Sequence, residues 1–195
     1  MFASRSSNNN ENRIFRLRTG GDYTGSIIKS YNSFEVAAIY TVYDFEDITT
    51  NYQSYAFRQL TGIDSTTIKL TKDVSLFAYS YLKISEIGDF NFDDFTSKPT
   101  RYLEEIYLEP RFILTKRNSV FSIGLRMFLL NTYNYQKLEK DLSTKFLSIG
   151  PIVMIDIYAW RNLNLMCKGY YEFISNTNAI NKEQASLMMH VNWNF

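Results

Sequence analysis

Apolar and polar residues alternate with a period of two over long stretches of this chain, most clearly from residue 65 onward. Successive side chains of a β-strand point to opposite sides of a sheet, so this pattern predicts strands with one apolar and one polar face. The last segment, 183–195, shows it best. One face carries Ala185, Leu187, Met189, Val191, Trp193 and Phe195. The other face carries Ser186, Met188, His190, Asn192 and Asn194.

The pattern predicts about nine strands. Six alternate clearly, and they cover residues 67–84, 101–115, 119–130, 144–160, 164–174 and 183–195. Three upstream segments, 13–28, 33–45 and 52–60, are predicted strands whose faces are harder to assign, and Gly20 and Gly21 are predicted to mark a bulge or a turn. Tight turns at 116–118 and 161–163 alternate with longer polar loops at 86–100, 131–143 and 175–182.

The length of these strands favours a membrane protein. Most contain roughly 12 to 18 residues, whereas strands of globular proteins have about 5 to 6 and a tilted crossing of a bilayer needs about 9 to 11. The longest apolar runs, 127–130 and 152–155, are too short for a membrane-spanning helix. Strands can satisfy their backbone groups in lipid only if the sheet closes on itself. The prediction is therefore an antiparallel transmembrane β-barrel of about 8 to 10 strands.

A soluble barrel or sandwich is the alternative, with the apolar faces turned inward. Tyr, Phe and Met on the polar faces and the short-long rhythm of the connections argue against it. Aromatic residues near strand ends fit an interfacial girdle, and they are Tyr158, Trp160, Trp193 and Phe195. Pro110 and Pro151 lack the backbone donor of a ladder, so they are expected at bulges or at the rim.

Composition excludes several classes of function. With 21 basic and 20 acidic residues the net charge is +1, which gives no field to attract nucleic acid. Cys167 is the one cysteine, so an internal disulfide and a cysteine-rich zinc site are excluded. No cofactor is predicted. Residues 1–12 are expected to form a polar loop or tail and residues 13–195 a single barrel domain. The amino terminus does not read as a secretory signal, so we expect either a removed signal or further upstream sequence.

The ending Met189-His190-Val191-Asn192-Trp193-Asn194-Phe195 resembles the terminal assembly signal of Gram-negative outer-membrane β-barrel proteins. In that family, alternate apolar or aromatic residues finish on a terminal Phe; here Val191, Trp193 and Phe195 are in phase. The resemblance implies an outer-membrane location, recognition by the barrel-assembly machinery and contact with outer-membrane lipid. It also implies that the carboxyl end and the turns at 116–118 and 161–163 are periplasmic and that the longer loops are extracellular.

A count of nine conflicts with the even strand number of bacterial single-chain barrels. Three explanations stay open at this stage. Residues 2–5 belong to a tenth strand, one upstream strand is misassigned, or the chain is the carboxyl-terminal part of a larger barrel.

The polar faces gather charges of both signs that are predicted to line a lumen. These residues are Glu105, Glu109, Arg111, Arg126, Asp156, Lys168, Glu172 and His190. They predict either a polar pore for the passive passage of small solutes or an interior network that conducts nothing. The alternative to a pore is a nonconducting anchor or subunit of an envelope transport or secretion assembly. Its extracellular loops would then bind an envelope protein partner, and the acidic aromatic loop 86–100 is the best candidate surface.

Catalysis and metal binding have weaker support. Ser186, His190 and Asp156 share the predicted inward face, but Ser186 and His190 are four residues apart on one strand, about 13 Å, too far for a hydrogen bond. One histidine and scattered carboxylates show no spacing typical of metal ligands. The chain is therefore not expected to be an enzyme.

Overall fold

A computed structural model describes residues 10–43, 54–91, 93–136, 139–160, 163–177 and 179–193, and every regular element in this part is a strand. The strands are β1 (Asn10–Thr24), β2 (Ile28–Tyr43), β3 (Tyr55–Lys69), β4 (Val74–Asn91), β5 (Thr96–Lys116), β6 (Ser119–Gln136), β7 (Glu139–Trp160), β8 (Leu163–Asn176) and β9 (Ala179–Trp193). No helix in the described ranges is long and apolar enough to span a membrane. The all-β fold is confirmed, and the described residues contain nine strands, as predicted.

The nine strands form one antiparallel sheet in sequence order, each strand pairing with the next along the chain. β1 and β9 are its edges, and within the described residues no ladder of hydrogen bonds joins them. The carboxyl ends of β1, β3, β5 and β7 lie at one end of the sheet, which we name the lower rim; those of β2, β4, β6 and β8 lie at the opposite end, the upper rim. Because the count is odd, β1 and β9 run in the same direction, from the upper to the lower rim.

Several strands are longer than the sequence pattern predicted. Pairing continues to Asn91 and Thr96, to Gln136 and Glu139, and to Asn176 and Ala179, so the long loops predicted at 86–100, 131–143 and 175–182 are wrong. These extensions carry polar residues on both faces and therefore lack alternation, although their backbones still pair. The predicted strand 67–84 is also wrong, because residues 70–73 form a turn between β3 and β4.

The turn at 116–118 is confirmed, with Arg117 at a φ of 45°. Other expectations about special residues are wrong. Gly20 and Gly21 lie inside β1, where the register does not shift. At Gly20 the two strands are in close contact, since a Cβ there would approach the Asn32 carbonyl oxygen to 2.6 Å. Pro110 and Pro151 lie within long strands rather than at a rim, and the register on either side of each is unchanged.

The two faces of the sheet differ in chemistry. On β5, β6, β7 and β9 one face carries an apolar stretch of about 9 to 11 residues along each strand, the length of a tilted bilayer crossing. We name this stretch the apolar band; on β5 it runs from Ile106 to Leu114 and on β6 from Phe121 to Leu129. Its upper boundary is a cross-strand row of polar residues, Glu104, Asn131 and Lys145. The opposite face, the polar face, carries most of the charged side chains between the rims.

The apolar band is largely exposed, whereas the polar face is shielded on the central strands and exposed on the edge strands β1 and β9. In the apolar band, Ile123 is 59% exposed and Leu187 is 71% exposed, whereas Glu109 and Glu172 on the polar face are 7% and 8% exposed. On this face side chains contact one another across strands, as in the ion pair between Arg126 of β6 and Glu172 of β8. This distribution is the reverse of a water-soluble fold.

The upper-rim extension of the β6–β7 hairpin can be tested directly, because its paired backbone should slow hydrogen exchange. We expect amides in 131–136 and 139–143 to exchange at least about 100-fold more slowly than in an unstructured peptide. Hydrogen–deuterium exchange with mass spectrometry measures this, with the connection at 93–95 as the unpaired comparison. Exchange of 131–136 at the rate of an unstructured peptide would contradict the extended pairing.

Candidate functional site

Cross-strand pairing places all eight predicted lumen residues on the polar face. Four of them meet in one cluster on β5, β6 and β8, and these are Glu109, Arg111, Arg126 and Glu172. A concavity of about 810 Å³ lies over the cluster, and aromatic side chains of β4 to β7 line much of its remaining wall. We name these four residues the charge cluster.

Arg126 and Glu172 form an ion pair across an intervening strand. Arg126 Nε lies 3.3 Å from Glu172 Oε1, although Arg126 is on β6, Glu172 is on β8 and β7 runs between them. Gly150 of β7 is paired with Arg126, and a Cβ at Gly150 would approach the Tyr171 carbonyl oxygen to 1.6 Å. Without a side chain at Gly150, the backbone of β7 lies close against that of β8, which shortens the distance that Arg126 has to span to Glu172.

Arg111 is held in a similar way. Its Nε lies 3.2 Å from Glu109 Oε1, and its Nη1 contacts the Met154 sulfur at 4.0 Å on β7, two strands away. Gly124 of β6 is paired with Arg111, and a Cβ at Gly124 would approach the Pro110 carbonyl oxygen to 2.1 Å. Both arginines thus cross a neighbouring strand at a glycine.

The charge cluster is neutral and partly satisfied by aromatic rings. The Arg126 guanidinium lies 4.7 Å from the centre of the Tyr170 ring, and that of Arg111 lies 4.5 Å from the centre of Phe77. Tyr107 donates a hydrogen bond to Glu109. The Nε–H groups of both arginines are within ion-pairing distance of a carboxylate but are not aligned for a hydrogen bond. These contacts are therefore mainly electrostatic, and the guanidinium groups keep further donors.

The other four predicted residues lie outside the charge cluster. Glu105 accepts a hydrogen bond from Lys83 at 2.8 Å and lies four residues from Glu109 toward the upper rim. Asp156, Lys168 and His190 lie on β7, β8 and β9 toward the lower rim. Met166 pairs with both Asp156 and His190 and therefore lies between them. Ser186 pairs with Tyr170 instead, so this serine, histidine and aspartate do not come together.

A row of tyrosines lies just above the apolar band. It was not predicted, because Tyr133 and Tyr135 were assigned to the loop at 131–143. Tyr133 donates a hydrogen bond to Glu104 at 3.1 Å and packs edge-on against Tyr102, with ring centres 5.8 Å apart. Tyr135 donates to Glu86 at 2.9 Å. Desolvation and then this hydrogen bond raise the pKa of Tyr135 to about 12, so it stays a donor at neutral pH. Tyrosines at this level fit an interfacial girdle.

The predicted girdle and assembly signal have separate outcomes. Val191 and Trp193 lie on the apolar face of β9 and are 66% and 61% exposed. Tyr158 pairs with Asn164 on the polar face, so its assignment to the girdle is wrong. The side chain of Trp160 and the whole of Phe195 lie outside the described residues. The recognition of this segment by an assembly machinery stays a prediction.

The candidate loop surface at 86–100 is mostly paired strand. At its tip Phe90 packs against Tyr40 and Phe95, with ring centres 5.0 and 5.3 Å away, and Phe95 has a φ of 51°. Asp93 and Asp94 precede Phe95 in the turn, where the Asp93 N–H donates to Asn91 and the Asn91 amide donates to Asp94. Among the described residues no group of three or more His, Cys, Asp or Glu side chains is placed to hold a metal ion.

Comparison with known protein families gives no match, and comparison with curated protein sequences gives none either.

The charge cluster should matter for stability because its glutamates are buried. Arg126→Met leaves Glu172 without its cation, and we expect it to lower the free energy of unfolding by about 3 kcal/mol. Lys83→Met breaks the more exposed pair with Glu105 and should cost about 1 kcal/mol or less. Denaturant unfolding followed by tryptophan fluorescence measures both.

Adding Glu172→Gln to Arg126→Met removes the unpaired charge, so the double variant should be more stable than Arg126→Met alone. Equal losses for Arg126→Met and Lys83→Met would contradict the assignment of Arg126 as the centre of a buried pair.

Proposed function

We propose that this sheet is the wall of an outer-membrane β-barrel that allows small solutes to pass without energy input. This proposal rests on the distribution of side chains, which is the reverse of that in a water-soluble fold. An apolar face is exposed, and the opposite, charged face is shielded on the central strands. Lipid is the solvent that suits the first face, and a narrow aqueous interior suits the second. The length of the apolar band and the tyrosine row at its upper boundary support the same assignment.

The nearly equal length of the apolar band on β5, β6, β7 and β9 favours a bilayer over a protein partner. The polar row of Glu104, Asn131 and Lys145 ends it abruptly at one side. A soluble partner would not require the apolar stretch to have nearly the same length on successive strands. A bilayer of constant thickness does require it.

Charges on the polar face suggest which solutes pass. From the lower rim to the row of Glu105 the basic residues are Arg18, Lys29, Lys69, Lys83, Arg111, Arg126, Lys168 and Lys182. The acidic residues over the same height are Asp22, Glu35, Glu105, Glu109, Asp156 and Glu172. Basic residues are in excess, so we infer a preference for small anions.

A nonconducting anchor is the second candidate, and the size of the wall favours it. A barrel of about eight strands has an interior that its own side chains fill. The charge cluster and the surrounding aromatic rings are side chains of that kind. The paired extensions above the apolar band would then present the upper rim to an envelope protein partner.

Ion selectivity distinguishes the two candidates. Protein extracted in detergent and reconstituted in a planar bilayer should show discrete conductance with a reversal potential that indicates anion preference. Lys168→Glu, on the polar face, should shift the reversal potential toward cations. Lys145→Glu makes the same change of charge on the opposite face, at the upper boundary of the apolar band, and should leave the potential unchanged.

Absence of conductance would favour the anchor. A monodisperse protein in aqueous buffer without detergent would contradict both candidates, since both require the apolar band to contact lipid.

Assembly in cells tests the proposed terminal signal. Deletion of Phe195, or Phe195→Asp, should reduce the amount of folded protein in the outer membrane far more than Asn194→Ala, because the in-phase aromatic is the residue that the resemblance assigns to recognition. Heat-modifiable migration on a gel measures the folded fraction. If the Phe195 and Asn194 variants assemble equally well, the terminal segment is not such a signal.

A further inference from the structure

On β2 and β3 the same face of the sheet carries a polar patch at the height of the apolar band. Asp64 and Asn32 pair across these strands, and Asp64 pairs with Ser80 on the next strand, in a row that continues to Leu108 of β5. Asp64 lies six positions from the lower-rim turn that begins at Leu70, which places it well inside the height of the apolar band. A carboxylate at this depth is unfavourable against lipid and is by default a functional residue.

The polar patch is satisfied only in part by its own residues. Asp64 accepts a hydrogen bond from the Thr66 hydroxyl at 3.0 Å, and the Asn32 amide donates to Ser30 at 2.9 Å. Asn32 is exposed, its second amide hydrogen is not used by Ser30, and each Asp64 oxygen can accept a further bond. Lipid chains offer no partner for either group.

A gap and a ring lie next to the polar patch. Gly62 of β3 pairs with Phe34 of β2; a Cβ at Gly62 would meet no atom within 4 Å, and Phe34 is 43% exposed. A notch of about 720 Å³ opens here on the exposed face, with Leu82 and Ile106 on its far side. The notch therefore has an apolar wall and a carboxylate at one end.

We propose that the exposed face of β2 and β3 is the interface of a symmetric dimer, in which a second copy of the chain covers this face. Consider a two-fold axis that runs along the strands in front of the sheet, midway between β2 and β3. The axis places β2 of one copy over β3 of the other at the same height. Each residue of β2 then faces, in the second copy, the same β3 residue with which it pairs within its own chain.

The four successive pairs on this face are complementary under that operation. They are Ser30 with Thr66, Asn32 with Asp64, Phe34 with Gly62, and Val36 with Leu60. The hydroxyls meet, the amide donor meets the carboxylate, the ring enters the gap and the aliphatic side chains pack together. Each contact occurs twice in a two-fold dimer.

The direction of the axis is compatible with a membrane, since rotation about it keeps the rims of both copies on the same sides. Small residues and interstrand polar contacts are also the features by which protein surfaces associate inside lipid. This inference depends on the proposed lipid-facing assignment, because a carboxylate on a water-exposed face would need no partner.

Chemical cross-linking of two differently tagged copies tests the geometry, in a background of Cys167→Ser. Phe34→Cys in one copy and Gly62→Cys in the other should form an intermolecular disulfide on mild oxidation. Leu129→Cys and Leu147→Cys are the matched control, because these residues are also directly paired on the exposed face, but on β6 and β7. The control pair should give no cross-link between copies.

Sedimentation in density-matched detergent tests the energetics. Gly62→Leu fills the gap twice per dimer, and we expect the dissociation constant to rise about 100-fold. Gly169→Leu is the control, since Gly169 is a glycine on the exposed face of β8 whose added Cβ would meet its nearest atom at an ordinary 3.7 Å. It should leave the dissociation constant unchanged.

A monomer in detergent, or cross-linking of the control pair as strong as that of the test pair, would overturn the dimer and leave the barrel proposal intact. Solubility without detergent would instead overturn the barrel proposal. In that case a dimer that still responds to Gly62→Leu and not to Gly169→Leu would support the interface alone.

Discussion

The fold depends on one antiparallel ladder that pairs the backbones of nine long strands in a single layer. Globular domains pack a second layer against the apolar face of a sheet, and within the described residues this chain has none. The buried apolar cluster is correspondingly small and lies near the upper rim, around Val42, Ala56 and Phe90. Hydrogen bonds between strands can hold such a sheet together, but they cannot cover its apolar face. The stability of the fold therefore also depends on the medium that covers this apolar face.

The sequence predicted the fold well where the two faces differ in chemistry. On β5 to β9 each strand contrasts an apolar and a polar face, so the alternation identified strands, faces and the turn at Arg117. It failed where the contrast disappears. The extensions near Tyr133 and Tyr135 are polar on both faces and were taken for loops. On β2 and β3 the apolar alternation is interrupted by Asn32 and Asp64, which is why the faces of the upstream strands were hard to assign. The interruption is itself informative, since it coincides with the proposed interface.

The charge cluster could be predicted only in outline. Alternation places Glu109, Arg111, Arg126 and Glu172 on one face of their strands, but it does not give the register between strands. That register brings Gly124 opposite Arg111 and Gly150 opposite Arg126, and these two glycines decide which charges meet. A glycine within a strand usually weakens it, so its position gains meaning only when its cross-strand partner is known. Tertiary pairing, and not the local pattern, therefore separates the four clustered charges from Asp156, Lys168 and His190.

Paired and unpaired charges have different consequences for a polar interior. In the charge cluster each arginine lies within 3.3 Å of a carboxylate, so the fields of the two groups largely cancel a short distance away. The net excess of positive charge comes instead from basic residues nearer the lower rim, such as Lys29, Lys69 and Lys168. The cluster would then define the width of the passage, while these lysines would determine the sign of the ions that enter it. Under the proposed pore function, stability and selectivity would thus depend on separate residues, and a substitution would alter one without the other.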